Sequence, residues 1–137
     1  MMKLIIGNEG TGKTMKLLDL ANNAVTQAKG NLVYLDKNGR HMFEINNKIR
    51  LIDVSEFSFS DADEFFGFVC GILSQDRDIE AMFFDSFLKL ANISREDAAK
   101  ELEKFDALGK KYNIDLCIAL SAEESDIPES LRSSILS

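Results

Sequence analysis

Residues 7–14 read Gly7-Asn8-Glu9-Gly10-Thr11-Gly12-Lys13-Thr14, the pattern GxxxxGK[ST] with no departure. These residue types suit one chemistry, the holding of a polyphosphate. The glycines let the backbone reach φ > 0 and bring its N–H groups against phosphate oxygens. A helix starting near Gly12 turns its unpaired N–H groups and positive dipole end towards the same anion. Lys13 adds a point charge for the β and γ phosphates, and the Thr14 hydroxyl can ligate Mg²⁺. All eight residues, Gly7 through Thr14, are expected around bound phosphates.

Such a loop needs a strand to deliver it and a helix to receive it. Leu4-Ile5-Ile6 is a short apolar run, so a first strand is expected over Lys3–Ile6. The following residues have helical spacing, with Leu17, Ala21, Ala24, Val25 and Ala28 inward. This predicts a helix from Gly12 to about Ala28, with Gly30 as its C-terminal cap. Further strands are expected at Asn31–Leu35, Ile49–Val54, Ile79–Phe84 and Ile114–Leu120. Asp36-Lys37-Asn38-Gly39 reads as a turn, and Arg40–Asn46 fits either a helical turn or a short edge strand. Ser60 is placed to cap a helix over Asp61–Ser74, with Phe65, Phe68, Val69 and Ile72 inward. Ser94, helped by Asp97, is placed to cap another, whose stripe is Ala98, Leu102, Phe105, Leu108 and Tyr112. Pro128 can open a last short helix through Leu136. The alternation predicts a single α/β domain over residues 1–137. It would be a three-layer α/β/α arrangement with a mainly parallel sheet of about five strands.

The run Ile79–Asp85 is a buried-strand pattern ending in an acid. Taken with Gly7–Thr14, a strand ending in Asp85-Ser86 resembles the RecA-like branch of the P-loop NTPases, and the layout agrees over residues 1–121. The chain also resembles small stand-alone P-loop proteins sometimes labelled twitching-motility-type ATPases. It does not show the acidic and histidine motifs of the pilus-retraction ATPases. The resemblance implies that Asp85 holds Mg²⁺ beside Thr14, directly or through water. It also implies a strand between the phosphate-loop strand and the Asp strand, for which only Ile114–Leu120 is available. Ser121, at the end of that strand, would then sense the γ-phosphate. RecA-like ATPases activate water with a glutamate beside the metal Asp or at the tip of a neighbouring strand. Here Ser86 follows Asp85, and Asp36, Lys37 and Asn38 stand at the tip of the second strand. Asp36 can serve as the base or simply begin the turn; Glu56 and Glu123 also follow strands. Lys13, Asp36 and Ser121 are thus the candidate catalytic residues.

The expected function is ATP and Mg²⁺ binding with weak or partner-dependent hydrolysis. The alternative is a module that hardly hydrolyses and uses nucleotide occupancy to switch an interaction surface. Guanine specificity is disfavoured because no Asn-Lys-x-Asp occurs. A small-molecule kinase ranks lower, because arginine is sparse and never clustered as in a lid over donor phosphates.

Net charge is −7, unevenly placed. Residues 1–50 hold eight Lys/Arg against four Asp/Glu, and residues 51–137 hold eight against nineteen. The acidic remainder argues against broad nucleic-acid binding. No run of 18 apolar residues occurs and no signal peptide is evident, so a membrane span is not expected. Cys70 and Cys117 sit in apolar runs and read as buried thiols of a reducing compartment, which points to the cytoplasm. A protein partner or a second copy is allowed. His41 reads as a solvated loop residue, and Arg40, Arg50, Arg95 and Arg132 as surface charges or arginine fingers. Phe57, Phe59, Phe65, Phe66 and Phe68 read as core in preference to a base-stacking platform; exposure of Phe57 and Phe59 would mark a partner surface.

Overall fold

The structure, a computed structural model, describes residues 1–136. Strands β1 (Met2–Gly7), β2 (Asn31–Asp36), β3 (Ile49–Asp53), β4 (Ile79–Asp85) and β5 (Asp115–Ser121) form one sheet. Its order is β1-β5-β4-β2-β3, and every neighbouring pair is parallel. The expected insertion of β5 between β1 and β4 is present. The helices are α1 (Lys13–Ala24), α2 (Ala62–Gln75), α3 (Phe87–Ala91) and α4 (Ala98–Tyr112).

The central strands are apolar on both sides, as a parallel sheet covered on two faces requires. Successive side chains of β4 go to opposite cores: Ala81 and Phe83 to one, Met82 and Phe84 to the other. The first core takes Leu17, Leu18 and Ala21 of α1 against Ile5, Tyr34, Cys117 and Ala119. The second is larger and takes α2, α3 and α4 against Leu4, Leu35, Ile118 and Leu120. Helices therefore cover both faces, in keeping with three layers. At the centre of the second core Phe105 meets Phe87, Phe84 and Phe65 with ring centroids 5.2, 5.6 and 6.0 Å apart.

Several local expectations need correction. Helix α1 ends at Ala24, and Gly30 is not a left-handed cap, since only Gly7, Gly10 and Gly12 have positive φ among the described glycines. A Cβ on Gly30 would lie 2.3 Å from the Asp78 carbonyl oxygen, so glycine is there to let two backbones touch. The α2 cap is Asp61, whose Oδ1 accepts from the Glu64 N–H at 2.9 Å. Ser60 instead donates its N–H and hydroxyl to the Glu64 carboxylate, at 2.6 and 2.8 Å. Ser94 opens a 3₁₀ turn over Arg95–Asp97 that leads into α4. Pro128 opens a 3₁₀ segment over Glu129–Ser134, not an α-helix. Residues 37–48 hold a 3₁₀ turn at Gly39–His41 and no strand.

The outer edge of β1 does not stay bare. Leu136 donates its N–H to the Leu4 carbonyl at 2.8 Å, and Ile135 bridges Leu4 in parallel. Among the described residues no helix is long and apolar enough to cross a membrane.

Candidate functional site

The sheet gathers the candidate residues at one edge. Gly7 closes β1 directly opposite Ser121 of β5, and Asp36 closes β2 opposite Asp85 of β4. Parallel strands end together, so loops leaving their carboxyl ends share one crevice. A cavity of about 320 Å³ lies there, lined by Glu9, Gly10, Gly12, Lys13, Thr14, Met15, Lys37, Asp85, Ser86, Lys89 and Ser121.

The loop Gly7–Gly12 turns on glycines with φ of 154°, 78° and 83° at Gly7, Gly10 and Gly12. A Cβ on Gly7 would come within 2.8 Å of the Thr11 hydroxyl oxygen. Thr11 donates to the Asn8 carbonyl at 2.7 Å, and the Lys13 ammonium folds back to the same carbonyl at 2.6 Å. Gly12 gives α1 no side-chain cap, so the first-turn N–H groups are left to face the cavity. Partial burial lowers the Lys13 pKa below its usual value; Glu9 and Asp85 oppose this, while Lys37 and Lys89 add to it.

Asp85 is buried and fixed from two sides. Its Oδ1 accepts from the Thr14 hydroxyl at 3.2 Å, and its Oδ2 accepts from the Tyr34 hydroxyl at 3.0 Å. Burial, with the Asp85 charge behind it, pushes the Tyr34 phenol well above its usual pKa, so Tyr34 stays a proton donor. Sequence reasoning missed Tyr34, because a tyrosine in an apolar strand looks like core. The signal was its place in β2, two residues before the strand end that meets Asp85.

These atoms fit Mg²⁺. With Oδ2 engaged by Tyr34, one carboxylate oxygen remains beside one hydroxyl, and Mg²⁺ characteristically takes one or two carboxylates with substrate phosphates and waters. Among the described residues no cluster of three or more His, Cys, Asp and Glu is gathered as an all-protein cage.

Ser121 lines the cavity. Asp36 does not; it is fully buried, and the residue after it, Lys37, reaches the cavity instead. Asp36 Oδ1 accepts weakly from the Asn38 N–H at 3.4 Å, and Oδ2 has no hydrogen-bond partner. Burial raises its pKa above the usual carboxylate range and the Asp85 charge adds to this; the Asn38 N–H, His41 and Lys37 oppose it. A raised native pKa means that folding favours the protonated form, so the penalty is absent at low pH and grows as pH rises through the native pKa. Asp36→Asn should therefore stabilise the protein at pH 7 by on the order of 1 kcal/mol, the low end for a buried unpaired acceptor. The gain should vanish towards pH 3. Thermal unfolding at both pH values checks this, and an unchanged midpoint at pH 7 refutes it.

The remaining candidates lie elsewhere. Glu123 pairs with Arg95 at 3.8 Å, and Arg95 donates twice to Asp126. Arg50 pairs with Asp76 at 2.9 Å, Arg132 donates to the Ile127 carbonyl, and His41 lies 3.5 Å from Glu44. Arg40 is exposed, and Glu56 borders a separate hollow beside Phe57. None of these lines the cavity. Phe65 is fully buried, Phe59 partly, and Phe57 is 47 % exposed. Lys89 joins the cavity because α3 carries it there, and it pairs with Glu9 at 3.6 Å. Compared with the known protein families and with curated proteins, the chain matches none.

Proposed function

We propose that the chain is a RecA-like P-loop NTPase that binds Mg-ATP on Gly7–Thr14 and hydrolyses it weakly, or only with a partner. The observation that carries this reading is the Thr14–Asp85 contact of 3.2 Å under a glycine loop at the head of a helix. The strand order supports the RecA-like branch over a small-molecule kinase, because β5 separates β1 from β4.

The chain's own groups divide the work. Backbone N–H groups of the loop and of the first turn of α1 hold phosphate oxygens. Lys13 exchanges the Asn8 carbonyl for the β and γ phosphates. Tyr34 holds Asp85 in place, and Ser121 stands across the cavity at the end of β5. Mg²⁺, when bound, would sit on Thr14 and Asp85 and supply charge neutralisation between the phosphates. The only carboxylates lining the cavity are Glu9, on the loop itself, and Asp85. Asp36, Glu56 and Glu123 do not line it, and neither does any arginine, which supports slow turnover.

Calorimetry with ATP, with and without Mg²⁺, tests the binding. Asp85→Asn should abolish most of the Mg²⁺ dependence while the unfolding temperature holds. A full Mg²⁺ response in that variant would make Asp85 structural. The isolated protein should turn over ATP well below the ~1 s⁻¹ low end of ordinary enzymes. A second reading, a module that binds without hydrolysing and switches a surface, is favoured by the same missing base and arginine. Steady-state turnover separates the two.

A further inference from the structure

A second hollow, of about 330 Å³, opens beside the first between the β3–α2 connection and α3. The two share Lys37 and Lys89. Its other walls include Ser58, Asn92, Phe57 and Phe59, and no carboxylate lines it. That is out of keeping with a chain of net charge −7 whose residues 51–137 are the acidic part. Among the described residues Lys37 has no ion pair, and Lys89 has one, with Glu9 at 3.6 Å. Two lysines sharing a single carboxylate partner in a concave site favour an anion. The rings indicate the rest of the ligand. Phe57 is half exposed, braced from behind by Phe68 at 5.0 Å and beside Phe59, which packs edge-on against Phe65 and Phe68. Aromatic rings packed against their neighbours suit a planar ligand ring. Ser58 and Asn92 offer polar groups to whatever joins ring and anion.

We propose that this second cavity binds a phosphate monoester carrying a planar ring, of mononucleotide size, with its phosphate on Lys37 and Lys89 and its ring on Phe57 and Phe59. The inference rests on the nucleotide reading in one respect. The terminal phosphate of ATP would draw on the same two lysines, so the second ligand is met best by the ADP-bound protein.

The test begins with a calorimetric titration of Mg-ADP into the wild-type protein. AMP, CMP, GMP and UMP are then titrated into the Mg-ADP complex, with inorganic phosphate and glycerol 3-phosphate as arms without a ring. At least one nucleoside monophosphate should bind saturably at one site, tenfold or more tighter than either ringless phosphate. Ser58→Trp, at an exposed position that lines only the second cavity, should weaken it at least tenfold and leave Mg-ADP affinity within twofold. Phe57→Ala should weaken it at least threefold. The inference is overturned if no monophosphate binds, if inorganic phosphate binds as tightly, or if Ser58→Trp binds like wild type. Failure of Mg-ADP to bind would sink the nucleotide reading instead. The same monophosphate titrations on the free protein, judged by the same Ser58→Trp criterion, would then decide the second cavity by themselves.

Discussion

Lys13→Ala is expected to weaken Mg-ATP binding by about 1.5–3 kcal/mol, the range for a hydrogen bond to a charged group, or roughly 10- to 150-fold. The reasoning is local. Lys13 is partly exposed, and its ammonium has one hydrogen bond in the structure, to the Asn8 carbonyl of its own loop. Its departure leaves that carbonyl open to water and empties no core, so the unfolding temperature should change little. The phosphates lose their nearest positive charge, whereas the N–H groups of the loop and α1 remain. Binding should thus be damaged rather than erased, and the inhibition should ease little with added Mg²⁺, because Thr14 and Asp85 are untouched. Isothermal titration of wild type and variant checks the size; equal affinities would end the assignment of phosphates to this loop. Lys13→Arg makes a further comparison, since a planar guanidinium does not reproduce a compact ammonium at a crowded site.

Phe105→Ala should have the largest effect on stability, about 3–5 kcal/mol, as for deletion of a buried aromatic. Phe105 is fully buried and meets four phenyl rings, those of Phe65, Phe66, Phe84 and Phe87. These rings come from α2, β4 and α3, so no single element can shift to fill the space without disturbing another. Chemical denaturation with unchanged m-value and a lowered midpoint is the expected result. A loss below about 1 kcal/mol would mean that the core closes over the cavity. The variant also probes the site from behind, because Phe84 and Phe87 flank Asp85 and Ser86 in the chain.

The main elements were legible because their signals are strong and local. The glycines and Lys13 of the loop, the apolar runs of the five strands and the three-to-four spacing of α1, α2 and α4 are read directly. The position of β5 in the sheet was expected only through the resemblance to RecA-like NTPases, which implies a strand between the loop strand and the Asp strand. Other features were hidden for physical reasons. Helix α3 spans only Phe87–Ala91, too short to show a period. Gly30 looked like a cap because its neighbour across space, Asp78, is distant in sequence. Asp61 outranked Ser60 as a cap because Glu64 engages the serine instead. The hold of Tyr34 on Asp85 and the convergence of Lys37 with Lys89 depend on register between strands, which a single sequence does not display.

The pairing of β1 with β5 and with Ile135–Leu136 also governs the order in which the molecule can be assembled. Leu4 finds its strand partner in Ile118, and its outer edge partners in Ile135 and Leu136. On a ribosome, β2, β3 and β4 can associate while β1, made first, still has no neighbour. Contacts so distant in sequence are slow to close, and parallel pairing is slower than hairpin formation. The Gly7–Thr14 loop is therefore synthesised before β2–β5, while its strand is seated only after β5 has formed. A nascent chain halted before residue 115 would carry the full GxxxxGK[ST] pattern with Asp85 available to Thr14, but with β1 unseated in the sheet until β5 and Ile135–Leu136 arrive.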